Sequence, residues 1–318
     1  MSTQQHHQRL FITGASGYVG SVITEFAIAQ GYKVQGLSRT QDSDTKLKNL
    51  GATPVRGDLT SLDILRREST EADAVIHLAT AFELGPGKFE DIVHTDMAAL
   101  DAIAAGLAGS QKVLLVTSGT LAAAADPSGA ETTEEAPLWE SPVSARNKVE
   151  AHALSLASKN IRVVGIRLAA YVYGRGGSAT KAFMGMSKQS GSVTCIDGGK
   201  NHITSVHVDD AARLYLLALE NGTAGELYNA SAATDVTARQ LWDALAEILE
   251  LPVRDIRYED ALTQLGDVLP WFLKAENRAS GAKARRDFGW QPRETDILDD
   301  VSNGSYLAVA KAMREAHS

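Results

Sequence analysis

Short apolar, β-branched runs alternate with longer amphipathic stretches through the first half of the chain. Residues 10–13, 33–38, 53–56, 74–78, 112–117 and 161–167 read as six strands. Between them, apolar positions recur at helical spacing, most clearly over 18–30, 92–107 and 143–158, and Gly31 stands where a helix C-terminal glycine belongs. Strands separated by helices require right-handed crossovers, which predicts an α/β fold with a parallel, doubly wound sheet. Past Leu168 the rhythm changes. Residues 174–177 (GRGG) read as a loop, 180–190 as a short helix, and 197–207 as a turn and a strand. Helical patterns follow over 209–219, over 237–249 with Thr237 as a cap, and over 261–274. The pattern predicts one doubly wound domain over 1–170, with 206–230 returning to it, and a smaller C-terminal lobe from 171–205 and 231–318.

Composition narrows the function classes. Of the 318 residues, 44% are apolar and 22% charged, ordinary values for a chain with a proper core. The net charge of −8 speaks against nucleic acid or an anionic membrane surface as a partner. One cysteine, Cys195, excludes an internal disulfide and a cysteine-rich metal site, and fits a reduced, cytoplasmic setting. The sequence points to no metal and to no membrane span. His6 and His7 belong to a polar N-terminal tail without the apolar core of a signal peptide.

The turn Thr13-Gly14-Ala15-Ser16-Gly17-Tyr18-Val19-Gly20 follows a strand and opens a helix. Small residues at Gly14, Gly17 and Gly20 suit a tight turn, close approach of a pyrophosphate, and helix–sheet packing. The free N–H groups and positive dipole of the helix start, around Ser16, Tyr18 and Val19, then favour phosphate. At the end of the second strand stand Ser38 and Arg39, where an NAD site carries a carboxylate for the ribose 2′-hydroxyl. A guanidinium there suits a 2′-phosphate, so the expected cofactor is NADP(H). Asp58 and Leu59 follow the third strand. Asp58 can meet the adenine amino group or simply cap the next helix. Leu78, Ala79 and Thr80 close the fourth strand with side chains small enough for a ribose.

FITGASGYVG (Phe11–Gly20), GDL (Gly57–Leu59), HLAT (His77–Thr80), VTSG (Val116–Gly119), RLAAYVYGRGG (Arg167–Gly177) and HVDDAARL (His207–Leu214) occur in one order. In this the chain resembles the extended short-chain dehydrogenase/reductases. That group includes nucleotide-sugar epimerases and dehydratases, hydroxysteroid dehydrogenases and dihydroflavonol-type NADPH reductases. The resemblance implies a Rossmann fold over nearly the whole chain, weakening after about Leu251. It also implies a Ser or Thr after the fifth strand and a Tyr-x-x-x-Lys on the next helix, with the tyrosine as acid or base. That tyrosine is absent. Spacing sets Ser144 over the tyrosine with Lys148 as the lysine; counting back from Glu150 sets Pro142 over the tyrosine and Arg146 over the lysine. Both alignments stand at this point.

The candidate catalytic residues are therefore Ser118, Thr120, Lys148 and, as an alternative proton donor, Tyr173, with Tyr171 beside it. Lys148 would also hold the nicotinamide ribose. His202 and His207 read as structural, Asp209 and Asp210 as helix capping and dipole stabilisation, and Arg167 as an anchor of the sixth strand. Residues 121–125, Met184, Met186, Trp271 and Phe272 would line an apolar substrate pocket if they converge. The resemblance implies a small-molecule substrate and a homodimer paired through the 92–107 and 143–158 helices. Three functions fit: an NADPH-dependent reductase of a small apolar carbonyl or other polarised double bond, an epimerase or dehydratase that retains NAD(P), and a non-catalytic NADP(H) sensor.

Overall fold

Leu10, Phe11 and Ile12 are fully buried, and so are Val75 and Ile76, as consecutive residues of a strand covered on both faces must be. The computed structural model describes residues 8–81 and 89–316; the tail carrying His6 and His7 lies outside them. The chain runs β1 (Arg9–Thr13), α1 (Tyr18–Ala29), β2 (Lys33–Ser38), α2 (Gln41–Asn49), β3 (Thr53–Arg56), α3 (Leu62–Glu71) and β4 (Ala74–His77). Next come α4 (Phe89–Leu107), β5 (Val113–Gly119), α5 (Ala145–Ser155), β6 (Arg162–Leu168), β7 (Tyr171–Tyr173), α6 (Ser178–Ser190), β8 (Val193–Ile196) and β9 (His202–His207). It continues through α7 (Val208–Asn221), β10 (Leu227–Ala230), β11 (Ala233–Thr237), α8 (Ala238–Leu249) and β12 (Val253–Ile256). Five short helices end it: α9 (Tyr258–Leu265), α10 (Val268–Lys274), α11 (Ala282–Phe288), α12 (Ile297–Asn303) and α13 (Tyr306–Glu315).

Seven strands form one sheet in the order β10-β6-β5-β4-β1-β2-β3. The pairs β1–β2, β2–β3, β1–β4 and β4–β5 are parallel. The chain winds outward from β1 through β2 to β3, then returns to lay β4 on the other side of β1. That reversal is the topological switch point, and the crevice beyond the strand ends there is where open α/β sheets take ligands.

The chain divides into two units, and each draws on three segments. The first holds Met1–Ser118, Ala145–Ile166 and Ala212–Leu227; the second holds Gly119–Ser144, Arg167–Ala211 and Tyr228–Ser318. These differ from the expected boundaries chiefly at 119–144, which the sequence pattern left with the Rossmann domain. The reason is backbone pairing: Thr132 N–H donates to Arg278 O at 2.9 Å, and Ser280 N–H to Thr132 O at 2.8 Å. The second unit is thus no minor C-terminal lobe. It carries a three-stranded sheet, β11-β9-β7, and the parallel pair β12–β8. Its core gathers on α8, where Leu241, Trp242, Leu245 and Leu249 are buried and Thr237 with Gln240 forms a capping box. The single helix expected over 261–274 is two, because Gly266 takes φ +75 between α9 and α10. No helix among the described residues is long and apolar enough to cross a membrane.

Candidate cofactor and active site

Gly14 ends β1 at φ +73, and a Cβ there would stand 3.0 Å from the Ala79 nitrogen. The Gly17 N–H donates back to Gly14 O at 2.9 Å and closes the turn. Gly20 is the tightest point, but the helix–sheet packing expected of it is not the obstacle. A Cβ at Gly20 would lie 2.1 Å from Gly14 O, so the turn's own carbonyl forbids a side chain. Gly17 begins α1 with no side-chain cap, and the first turn carries no acidic residue. Its N–H groups and dipole therefore face no competing carboxylate in that turn. Ser16, Tyr18 and Val19 are half-buried around it.

The ends of β1 and β4 are joined by side chains as well as by the ladder that pairs Thr13 with His77. The Thr13 hydroxyl oxygen accepts from the Leu78 and Ala79 N–H groups, both at 3.2 Å. Its own proton is then directed to His77 Nδ1, 2.9 Å away, which assigns the Nε2–H tautomer to His77. Burial pushes the His77 pKa down to about 4, so the ring stays neutral and accepting. The sequence reading quoted both residues and missed this clasp. Its only signal was two polar residues closing neighbouring apolar strands.

Ser38 is buried and donates to Thr40 O at 3.2 Å, while the Thr40 hydroxyl caps α2 at Ser43. Arg39 is exposed between them and makes no hydrogen bond or ion pair with any described residue. Lys46, which the sequence reading passed over, reaches from α2 to the glycine turn, its Nζ donating to Ser16 O at 2.8 Å. Asp58 does not cap α3. Its Oδ1 accepts from Thr60 N–H at 2.9 Å, the Thr60 hydroxyl at 2.7 Å and the Ser61 hydroxyl at 3.1 Å. The Thr60 hydroxyl above all holds the Asp58 carboxyl below its ordinary range. All three bonds fall on Oδ1, and Leu59 beside it is buried.

Thr80 follows β4, and its hydroxyl donates to Asp96 Oδ2 at 2.7 Å while Ala81 N–H donates to Oδ1 at 2.7 Å. Asp96 is itself buried on α4. Its charge acts on Arg146 of α5: burial lowers the guanidinium pKa and Asp96 opposes the shift. At the end of β5, Ser118 donates to buried Glu150. Arg146 and Glu150 are four residues apart and share a helix face; Lys148, midway between, points the other way and is exposed. Arg146, not Lys148, is thus the α5 cation on the Glu150 face, and it feels the Asp96 charge. Ser144 is a turn residue whose hydroxyl donates to Ser141 O at 2.7 Å.

In the second unit Thr120 is fully buried and donates to Asn277 Oδ1 at 2.8 Å. Tyr173 is buried too. Its hydroxyl donates to Thr295 O at 2.7 Å, its ring meets His207 edge-on at 5.4 Å, and burial raises its pKa. The candidate proton donor is committed to packing. Tyr171 packs on Phe272 at 5.2 Å, and burial raises its pKa as well. His202 pairs with Glu276 at 3.0 Å. Asp209 and Asp210 lie in the first turn of α7, where their charge suits the helix dipole, and the Asp210 carboxylate also accepts from Arg293 and Glu294 N–H at 2.9 and 3.0 Å. The expected apolar lining is used in packing: Met184 and Phe272 belong to one core cluster, Met186 is 43% exposed, and Trp271 packs on Trp139 at 5.4 Å.

A family model described as the NAD dependent epimerase/dehydratase family matches residues 10–231. The chain is 31% identical over 300 residues to an uncharacterized protein of Schizosaccharomyces pombe, covering 94% of this chain and 100% of that one. It is 24% identical over 315 residues to the 4-hydroxy-2-methyl-3-oxo-4-farnesyl-3,4-dihydroquinoline-1-oxide ketoreductase of Stigmatella aurantiaca, covering 90% of this chain and 93% of that one. In fold it is similar to dTDP-glucose 4,6-dehydratase from Streptomyces venezuelae, solved with NAD bound. The TM-score is 0.76 at 20% identity, over 96% of this chain and 97% of that one, a likeness of fold.

Proposed function

Because the chain belongs to the NAD dependent epimerase/dehydratase family, we propose that it is an NADP(H)-selective oxidoreductase reducing a carbonyl or other polarised double bond of a small, largely apolar substrate. The residues of the first unit suit a nicotinamide dinucleotide. Gly14 and Gly20 let the turn close tightly where a Cβ would strike backbone, and α1 starts with no side-chain cap. Bound there, the nicotinamide would supply the hydride. Arg39 and Lys46 would hold the 2′-phosphate, and Asp58 Oδ2 the adenine amino group. Arg146, half-buried on α5, would take the ribose-holding place of the family lysine. Ser118 would lie beside the substrate with its proton held by Glu150.

The observation that carries this reading is Arg39, an unpaired cation at the end of β2 where an NAD site places a carboxylate. The test is the ratio of NADPH to NADH dissociation constants for the purified protein. A ratio favouring NADPH at least about tenfold supports the proposal; equal or inverted affinities overturn it. The dehydratase-like fold favours a second reading, an epimerase or dehydratase that retains its cofactor. Such a protein would release stoichiometric NAD(P) on denaturation, detectable by mass spectrometry.

A further inference from the structure

The end of β5 and the face of α5 beside it carry a permanent cation and no described tyrosine with a proton to give. Arg146 supplies the cation, one helical turn before the Glu150 that Ser118 bonds. An arginine holds its proton at any working pH, so it stabilises negative charge without donating. The Ser118 proton is already given to Glu150. Of the first unit's described tyrosines, Tyr215 is buried with its hydroxyl on Thr117 at 2.8 Å, and Tyr32 pairs with Glu220. Tyr18 starts α1 at the glycine turn rather than at β5.

Reduction of an isolated ketone leaves an alkoxide about as basic as hydroxide, whose conjugate acid has a pKa of ~16. Such a product needs an acid in the same step. Reduction of a conjugated acceptor leaves an enolate or, from a quinone, a phenolate; a phenol titrates near ~10, several powers of ten less basic. A guanidinium can hold that oxyanion until water protonates it.

On the reductase reading proposed above, we infer that the substrate is a conjugated acceptor, a quinone or an α,β-unsaturated carbonyl, whose oxyanion product Arg146 stabilises. The C–H bond at the reduced nicotinamide breaks and a C–H bond forms at the β-carbon of the acceptor. The C=C pair shifts and leaves the carbonyl oxygen as an enolate. The nicotinamide is oxidised, the acceptor is reduced by two electrons, and solvent supplies the remaining proton after the transfer. For a quinone, enolisation of the same adduct gives the phenolate.

The experiment compares matched pairs, cyclohexenone with cyclohexanone and a benzoquinone with acetophenone, under NADPH. Loss of a general acid is worth about a hundredfold or more, so kcat/KM should favour each conjugated partner by at least that factor. The solvent deuterium isotope effect should be near unity. A second readout needs no turnover. With NADP⁺ present, a bound nitrophenol should titrate lower than free nitrophenol by about one unit. Arg146→Met should abolish that shift and Arg146→Lys, which also controls for folding, should retain part of it. Equal turnover of isolated ketones with a marked solvent isotope effect overturns the inference and leaves the reductase standing. An unshifted nitrophenol overturns the role of Arg146. Silence on every acceptor with NADPH demonstrably bound overturns the reductase reading itself.

Discussion

Replacing Arg39 with alanine should lower NADPH affinity and spare NADH. The ribose 2′-phosphate carries nearly two negative charges at neutral pH, and a guanidinium meets it with charge-assisted hydrogen bonds. Arg39 is exposed, so the upper range for such bonds does not apply; a figure of about 1.5–2 kcal/mol is appropriate, or roughly 10–30-fold in Kd. Lys46 already spends one N–H on Ser16 O and keeps two. Its removal should weaken NADPH by about 1 kcal/mol. Because both cations would meet one phosphate, the double variant should fall short of the sum. The assay is titration of both cofactors by calorimetry at about 0.15 M and about 1 M salt. The Debye length shrinks from ~8 to ~3 Å over that range, and the selectivity of the natural protein should shrink with it. If Arg39→Ala weakened NADPH and NADH by the same factor, the assignment of the 2′-phosphate to this end of β2 would be refuted.

Other outcomes follow from the geometry. His77 has a folded pKa of about 4, below its unfolded value near ~6.5, so its stabilising share is fully present above that value and lost as pH falls. The loss should reach about 3 kcal/mol between pH ~6.5 and ~4, read as the difference between urea midpoints of the natural protein and His77→Asn across that window. Gly20→Ala forces a methyl onto Gly14 O and should destabilise by about 2–3 kcal/mol while abolishing dinucleotide binding, measured by thermal shift with and without NADPH. Tyr173→Phe should lower stability by about 1 kcal/mol through the lost bond to Thr295 and leave kcat alone; a collapse of kcat with stability intact would restore Tyr173 as the acid. Lys148→Ala should leave stability and NADPH affinity within about 0.5 kcal/mol, as suits an outward-facing helix position.

The strands of the first unit were legible because each is a short apolar run bounded by polar or glycine punctuation, and the glycine turn because its spacing answers to backbone sterics. The α5 site was not. Arg146 and Lys148 differ by two positions, which on a helix means opposite faces, and only the buried side decides between them. Lys46 lies thirty residues from Ser16, a separation no local pattern spans. Gly266 was visible, yet a single glycine within a helical pattern does not say whether the helix bends, continues or stops. Tyr173 was read from its place after β6, whereas the contact that engages it comes from Thr295, more than a hundred residues on.

The interleaving of the two units bears on how the protein is made. The chain crosses from one unit to the other after Ser118, Ser144, Ile166, Ala211 and Leu227. On the ribosome, the first unit cannot finish until its last segment, Ala212–Leu227, has emerged, by which point two of the second unit's three segments are outside the tunnel and its longest, Tyr228–Ser318, is still to come. Truncation at any of the first four crossings would leave the first unit without one or more of its segments and its sheet with an open edge, a substrate for chaperones rather than a smaller working protein.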